Sequence, residues 1–223
     1  MADANDQAMP PPPATPRFGH VVVGGSAHRY PAQDGVQVVK FAVGPYDNDV
    51  YLIASDGEAV IVDGAAEPER IIGELQALAV TPRLIVQTHN HPDHTHALPS
   101  LLEQLGVPVL AHPADPMPVA TEDLLGGETL EAGSARIEVL ATPGHTPGSL
   151  CFRVGDHLFT GDTLFPGGPG NTGGDPSRFR EIMRSLDGLF ALPDEVRVSP
   201  GHGLDTTVGR ERPFVEVWRA RGW

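Results

Sequence analysis

The most informative stretch of this chain is Thr88-His89-Asn90-His91-Pro92-Asp93-His94. Three histidines and one aspartate occur in it with the spacing His-x-His-x-Asp-His. Imidazole nitrogens and carboxylate oxygens are the ligands that zinc and similar divalent metals accept in proteins. A solvated, histidine-rich turn is the alternative interpretation, but chance gives this spacing in roughly one in a thousand chains of this composition. The stretch therefore predicts a metal site.

The composition indicates a globular protein that acts on small molecules. The chain has 223 residues, of which 40% are hydrophobic and 20% charged, without a long apolar run. These values predict a single domain over residues 17–223 and no membrane span. The formal charge is −14 and Lys40 is the only lysine, so no basic stripe is available for nucleic acid. A small-molecule substrate is the expected partner, and the sequence leaves the oligomeric state open.

Two features bear on where the protein works. Residues 1–16 are rich in Ala, Pro and Asp and lack the basic start and apolar stretch of a signal peptide. We expect them to form a disordered, partly extended tail. The single cysteine, Cys151, excludes an internal disulfide, and its apolar neighbours predict a buried strand residue. A reducing cytoplasm is the expected location.

Strand and helix patterns alternate along the chain. Short β-branched runs broken by Gly, Pro and Asp predict strands at residues 36–43, 49–54, 59–62, 83–87, 108–110, 136–141, 149–154, 157–160 and 196–199. Apolar residues at helical spacing, with start and stop signals, predict helices at about residues 67–79, 94–106, 176–190 and 208–219. This order predicts two mixed sheets with helices outside them.

Three further segments share one pattern, in which a strand end is followed by a glycine-rich turn and a metal-ligating side chain. They contain His145, Asp162 and His202, each of which follows a glycine. A neighbouring glycine lets the backbone approach closely, and a strand end holds the ligand rigidly. A lone histidine after a strand is more often a surface residue. Three such turns in a chain that also has the 88–94 motif favour a shared metal site.

These segments together resemble the ligand motifs of the metallo-β-lactamase-fold hydrolases. The matching residues, in order, are His89, His91, Asp93, His94, His145, Asp162 and His202. Asp63, after the strand at residues 59–62, matches the first motif of that family, whose acid supports the ligands without binding metal. The resemblance implies a mixed α/β fold, the four-layer αβ/βα sandwich, with the metals at one edge between the sheets.

The resemblance also divides the ligands between two divalent metal ions. One ion would be held by His89, His91 and His145, the other by Asp93, His94 and His202, with Asp162 bridging the two. Zinc is the expected metal, and iron or manganese would suit the same ligands.

A water shared by two such ions would lose its proton near neutral pH and become the nucleophile. Asp93 and Asp162 are therefore the expected catalytic carboxylates, and Asp93 could also orient the water. Asp63 and Thr88 are expected to support the ligands, because ligating imidazoles usually donate their other N–H to a fixed acceptor.

The fold alone does not name a substrate, but some branches of the family differ from this chain. True β-lactamases of the family carry cysteine or serine in place of Asp162, so antibiotic hydrolysis is not expected. The glyoxalase II-like thioesterases look most similar at residues 142–148 and 159–165. Where they carry Gly-Cys-Gly-Arg, this chain has Gly-Pro-Gly-Asn at residues 168–171. Residues 201–211 resemble the short, uncharacterised glyoxalase II-like members.

The leading hypothesis is a two-metal hydrolase that cleaves a small-molecule thioester or ester, similar to hydroxyacylglutathione hydrolase. Candidate substrate-binding residues are Asn48, His112 and Asn171. Asn171 lies in the glycine-rich stretch 167–174, which could equally be a plain loop.

Two other functions stay open. The first is a mono-iron oxidoreductase that resembles the persulfide dioxygenases and would use His89, His145 and Asp162. The second is a non-catalytic metal-binding protein. Metal content and oxygen uptake would distinguish these possibilities from a hydrolase.

Overall fold

The computed structural model describes residues 18–222, so the tail expected at residues 1–16 lies outside the described residues. The described chain forms two large β-sheets that pack face to face, with helices against their outer faces. The four-layer αβ/βα sandwich predicted from the sequence is thereby confirmed. None of the helices within the described range is both long and apolar enough to cross a bilayer.

The first sheet is built from the N-terminal half of the described chain. Its seven strands there, in spatial order, are β1 (His28–Arg29), β2 (Gln37–Val43), β3 (Asn48–Ser55), β4 (Glu58–Val62), β5 (Thr81–Val86), β6 (Val109–Ala111) and β7 (Glu122–Asp123). Neighbours from β1 to β4 are antiparallel, whereas those from β4 to β7 are parallel. Parallel strands need crossover connections. Helix α1 (Pro68–Leu78) connects β4 to β5, and α2 (Pro92–Thr95) with α3 (Leu98–Leu105) connects β5 to β6, whereas a loop without a helix connects β6 to β7.

The second sheet and its helices come from the C-terminal half. The strands are β8 (Thr129–Ala132), β9 (Ala135–Ala141), β10 (Leu150–Val154), β11 (His157–Gly161), β12 (Leu164–Phe165), β13 (Gly168–Pro169), β14 (Arg197–Pro200) and β15 (Thr206–Thr207). The sheet order is β15-β14-β11-β10-β9-β8, while β12 and β13 form a separate hairpin. The helices are α4 (Pro176–Leu189), α5 (Val208–Glu211) and, after a 3₁₀ turn at Arg212–Phe214, α6 (Val215–Arg221).

Apolar side chains fill the spaces between the layers. Val139 and Phe159 belong to the cluster between the two sheets. Ile71 of α1 packs against the outer face of the first sheet, and Leu186 of α4 with Trp218 of α6 against the second. Every residue of β3 is buried because both faces of this strand are covered. Cys151 is fully buried in β10, as expected from its apolar neighbours.

Two helices that the sequence predicts as continuous are interrupted. The helix expected at residues 94–106 is replaced by α2 and α3, because the N–H of Ala97 between them donates to the carbonyls of Gly64 (2.9 Å) and Ala65 (3.1 Å). Pro99 in the first turn of α3 has no N–H with which to continue a helix from α2. The helix expected at residues 208–219 is broken in the same way at Pro213.

Candidate metal centre

The fold brings all seven predicted ligands together. They form two groups in the described structure: His89, His91, His145 and Asp162, and Asp93, His94 and His202, with the ligand atoms of each group within 4.8 Å of one another. Most follow the ends of strands β5, β9, β11 and β14, and α2 carries Asp93 and His94. Strand ends are rigid positions, which suits residues that must converge on one point.

In the first group, three ring nitrogens meet at one point. His91 Nδ1 lies 3.1 Å from His89 Nε2 and 2.9 Å from His145 Nε2. One N–H could satisfy only one of these contacts, so hydrogen bonding alone does not explain the arrangement. Nitrogens on a single tetrahedral zinc would be about 3.3 Å apart, given Zn–N bonds of about 2.0–2.1 Å. The spacing is therefore close to what one bound cation requires.

The second group has the same compactness. His94 Nε2 and His202 Nε2 are 3.1 Å apart, and Asp93 Oδ2 lies 3.6 Å from the first and 3.4 Å from the second. Asn48 Nδ2 donates to the same Asp93 oxygen at 3.0 Å. The amide of Asn48 thus orients the carboxylate of a predicted ligand.

Asp162 faces both groups. Its Oδ2 lies 3.5 Å from His145 Nε2, while its Oδ1 lies 3.5 Å from His94 Nε2 and 3.8 Å from His202 Nε2. Oδ1 is buried and has no hydrogen-bond partner among the described residues. A buried carboxylate oxygen without a partner is unfavourable, and a cation between the groups would remove this cost. The donor set therefore fits two divalent cations with Asp162 between them.

Asp63 and Thr88 form hydrogen bonds with two of the histidines. The Thr88 hydroxyl donates to Asp63 Oδ2 at 2.8 Å, so it accepts the N–H of His89 Nδ1 at 2.9 Å. His94 Nδ1 donates to the same Asp63 oxygen at 2.8 Å. In the neutral form of both histidines the proton is therefore on Nδ1, and Nε2, which faces the ligand groups, is the nitrogen available to a metal.

Two further acceptors were not predicted from the sequence. His145 Nδ1 donates to the backbone carbonyl of Asn171 at 2.7 Å, and His202 Nδ1 donates to that of Tyr46 at 2.9 Å. A backbone carbonyl is present in every residue, so no signal in the sequence could have identified these two. The side-chain oxygen of Asn171 accepts the N–H of Gly173 at 2.7 Å, and its role as a substrate contact stays a prediction.

The loop that carries His112 contacts the ligand segments through Asp115. His112 is half-buried, and its Nδ1 accepts the N–H of Ala114 at 3.1 Å, so its substrate role stays a prediction. Asp115 is buried and accepts the N–H of Asn90 (3.2 Å) and of Gly148 (2.8 Å). It therefore ties the 88–94 motif to the turn that contains His145, a role that the sequence did not reveal.

The charges around the two groups differ. Burial lowers the pKa of His89 well below its ordinary value, with a further contribution from neighbouring histidines, and burial likewise lowers the pKa of His145. Burial also opposes protonation of His94, but the hydrogen bond and charge of Asp63, with Asp162 and Asp93, raise its pKa to about 9. Because metals bind neutral imidazole, a cation at the second group would compete with a proton on His94.

The Gly201→Ala variant should lose metal and activity. A Cβ at this position would lie 2.6 Å from Asp162 Oδ1 and 2.6 Å from His94 Cε1. One of these ligands must move, and a displacement of about 1 Å in a catalytic group typically costs about 10²-fold in rate. Metal content by elemental analysis and activity measure the effect. Gly73→Ala in α1 is the control, since nothing lies within 4 Å of its added Cβ; equal metal content in both variants would contradict the expectation.

Residues 43–202 match the family described as the metallo-beta-lactamase superfamily. The chain is 38% identical over 159 residues to a hydroxyacylglutathione hydrolase of Anaeromyxobacter dehalogenans, and the match covers 70% of this chain and 61% of the relative. The chain thus spans less than two thirds of that enzyme's length. It is also 33% identical over 177 residues to the probable polyketide biosynthesis zinc-dependent hydrolase BaeB of Bacillus velezensis, with 74% and 77% of the two chains covered.

Solved structures of the same fold are also similar. The BLEG-1 B3 metallo-beta-lactamase superposes with a TM-score of 0.71 at 29% identity, covering 79% of this chain and 96% of the other. TTHA1623, solved in a di-iron-bound form, superposes with a TM-score of 0.67 at 33% identity, covering 77% and 95%. These relatives differ in their named metals and substrates.

Proposed function

The chain belongs to the metallo-β-lactamase superfamily, and on that premise we propose that it is a two-metal hydrolase of a small-molecule thioester or ester. The principal observation is Asp162, whose two oxygens face different ligand groups. A mono-iron site would need only the first group, whereas the second group is equally compact here. The similarity to hydroxyacylglutathione hydrolases supports thioesters as the first substrate class to test.

In this proposal each ligand group would bind one cation. His89, His91 and His145 would bind one, Asp93, His94 and His202 the other, and Asp162 both. Bound divalent cations lower the pKa of water toward neutrality and polarise a substrate carbonyl. Zinc is our first choice because the donor set is rich in imidazole, and one relative is named as zinc-dependent. Iron is the second, since one similar structure holds two iron ions.

The chain's own side chains orient these ligands and handle protons. The side chain of Asp93 is 26% exposed, so it is open to water and substrate. Burial raises its pKa, but the hydrogen bond from Asn48 and the charge of His94 outweigh this and lower it. Asp93 is therefore ionised at neutral pH and able to orient an attacking water and accept its proton. Asn48, in this proposal, orients Asp93.

Metal content and turnover test the proposal together. We expect protein purified without added metal to hold about two ions per chain and to hydrolyse simple and glutathione thioesters. About one iron per chain with oxygen uptake on a persulfide would instead support the dioxygenase alternative. Full metal occupancy without turnover of thioesters, esters, lactones or a β-lactam would support a non-catalytic metal-binding protein. We also propose a reducing, cytoplasmic location, because Cys151 is a free thiol.

A further inference from the structure

A cleft of about 260 Å³ opens directly beside the second ligand group. Asn48, Asp93 and His96 are the polar residues of its lining. Three separate segments build it: the turn between β2 and β3, the loop after β4, and the start of α2. A substrate whose reacting carbonyl lies at the ligand groups would place one of its substituents here.

The rest of the lining is mainly apolar. Pro45, Tyr46, Ala65, Ala66 and Pro92 contribute to it, and no lysine or arginine does. The only lysine of the chain, Lys40, is fully buried elsewhere. A carboxylate placed in this cleft would lose hydration and face the Asp93 carboxylate, with only the exposed imidazole of His96 and no lysine or arginine beside it, which is unfavourable. The lining thus suits an uncharged, apolar group.

Tyr46 offers an uncovered apolar surface on a fixed backbone. The residue is 69% exposed, which places it among the exposed large hydrophobic residues of the described chain. Its carbonyl accepts from His202 Nδ1 at 2.9 Å, and nearby the N–H of Asp49 donates to the carbonyl of Gly201 at 2.8 Å. The ring therefore stands beside the cleft with its main chain held, so covering it costs little backbone entropy.

We propose that this cleft binds an uncharged, apolar substituent of the substrate, so that the substrates are neutral thioesters or esters and not ones with a carboxylate at that end. The inference rests on the proposed function, because Asp93 beside the cleft is a proposed ligand. The cleft is smaller than the roughly 300–1,000 Å³ of typical small-molecule sites, which favours a short substituent. Such a group could belong to the acyl part or to the thiol part of the substrate.

Product analogues test the inference without requiring turnover. Affinities for the zinc-loaded protein are measured by calorimetry for two series: n-alkyl carboxylates from acetate to hexanoate, and n-alkanethiols from ethanethiol to hexanethiol. Each long member is paired with the analogue that ends in a second carboxylate, such as adipate for hexanoate. We expect affinity to rise about twofold to fourfold per methylene in one series, and the responding series identifies the part of the substrate. The dicarboxylate or carboxylated thiol should bind at least about tenfold more weakly.

Variants link the effect to the cleft. Tyr46→Ala should make affinity independent of chain length, because it removes the apolar ring beside the cleft. The backbone carbonyl that accepts from His202 is retained in this variant. Ala66→Arg should reverse the preference, so that adipate binds more tightly than hexanoate. Leu125→Ala removes another exposed apolar side chain, outside the cleft lining, and should behave as the wild type. Circular dichroism and metal content establish that each variant is folded and loaded.

The outcomes separate this inference from the proposed function. A flat dependence in both series, or tighter binding of adipate by the wild type, would overturn the apolar cleft even if thioesters are hydrolysed. A protein that hydrolyses nothing in the panel could still show a chain-length dependence that disappears in Tyr46→Ala. That result would support the apolar cleft and overturn the hydrolase proposal.

Discussion

Asp162→Ala is expected to lower kcat/KM for a thioester substrate by about 10³-fold and to reduce bound metal below two ions per chain. Asp162 is the carboxylate that faces both ligand groups, at 3.5 Å from His145 Nε2 and 3.5 Å from His94 Nε2. Without it, two cations would repel each other unscreened, and the stabilisation that a second ion gives would be lost. That contribution is several kcal/mol, and about 4 kcal/mol corresponds to 10³-fold in rate.

Two controls make the result specific. Asp162→Asn keeps the size of the side chain and removes its charge, so it should lose nearly as much activity as the alanine variant. Asp187→Ala removes an exposed carboxylate of α4 that pairs with Arg219 at 2.7 Å, and it should keep full activity and metal. Unchanged kcat/KM in Asp162→Ala would refute the two-metal mechanism.

Lys40→Met is expected to lower the free energy of unfolding by about 3–5 kcal/mol. Lys40 is fully buried, and its Nζ lies 2.8 Å from Asp49 Oδ2 and 3.0 Å from Asp205 Oδ1. Removing the ammonium would leave two buried carboxylates without their central counter-charge. Lys40 Nζ also donates to the carbonyl of Gly203 at 2.6 Å. The loop that carries His202 would lose this contact, so metal at the second group should bind more weakly as well.

Urea unfolding measures the effect, with Arg136→Met as the matched control. Arg136 pairs with Glu131 on the surface, where its side chain is 70% exposed, and such pairs contribute at most about 1 kcal/mol. Equal losses in the two variants would show that the buried cluster does not stabilise the fold.

The stability deficit of Lys40→Met should also depend on pH. Burial raises the pKa of Asp49 to about 7, against the opposing effect of Lys40. Without Lys40 this pKa rises further above its value in the unfolded chain. A carboxyl group with a raised pKa in the folded state favours folding at low pH and loses that contribution as pH rises through its folded pKa. The difference in unfolding free energy between wild type and Lys40→Met should therefore widen above about pH 7. Urea unfolding curves below and above neutral pH measure this difference, and a constant value would contradict the expectation.

The ligand set could be predicted from the sequence because its signals are local. Four ligands fall within residues 89–94, and His145, Asp162 and His202 each follow a glycine. Asp63 could be predicted as a supporting acid from the resemblance alone, because it matches the first motif of the family after the strand at residues 59–62. The long strands were also predictable, whereas β1, β7, β12, β13 and β15 have only two residues each, too few to show a period.

What could not be predicted depends on contacts between distant segments. Lys40 contacts Gly203 and Asp205, which are 163 and 165 positions away in the sequence. An unpaired lysine is almost never fully buried, so the residue type alone predicts that Lys40 lies on the surface. The break between α2 and α3 has the same origin, because the carbonyls that accept from Ala97 belong to the loop after β4.

The spread of the second ligand group along the chain has a consequence for biosynthesis. Asp93 and His94 belong to α2, whereas His202 follows β14, so more than a hundred residues separate them. Proteins emerge from the ribosome N-terminal end first, and a nascent chain that ends before residue 202 has only two of the three ligands. The first sheet can be assembled while this group is still incomplete. If the second group binds a cation as proposed, its three ligands are complete only late in synthesis, so that ion would not be a template for early folding.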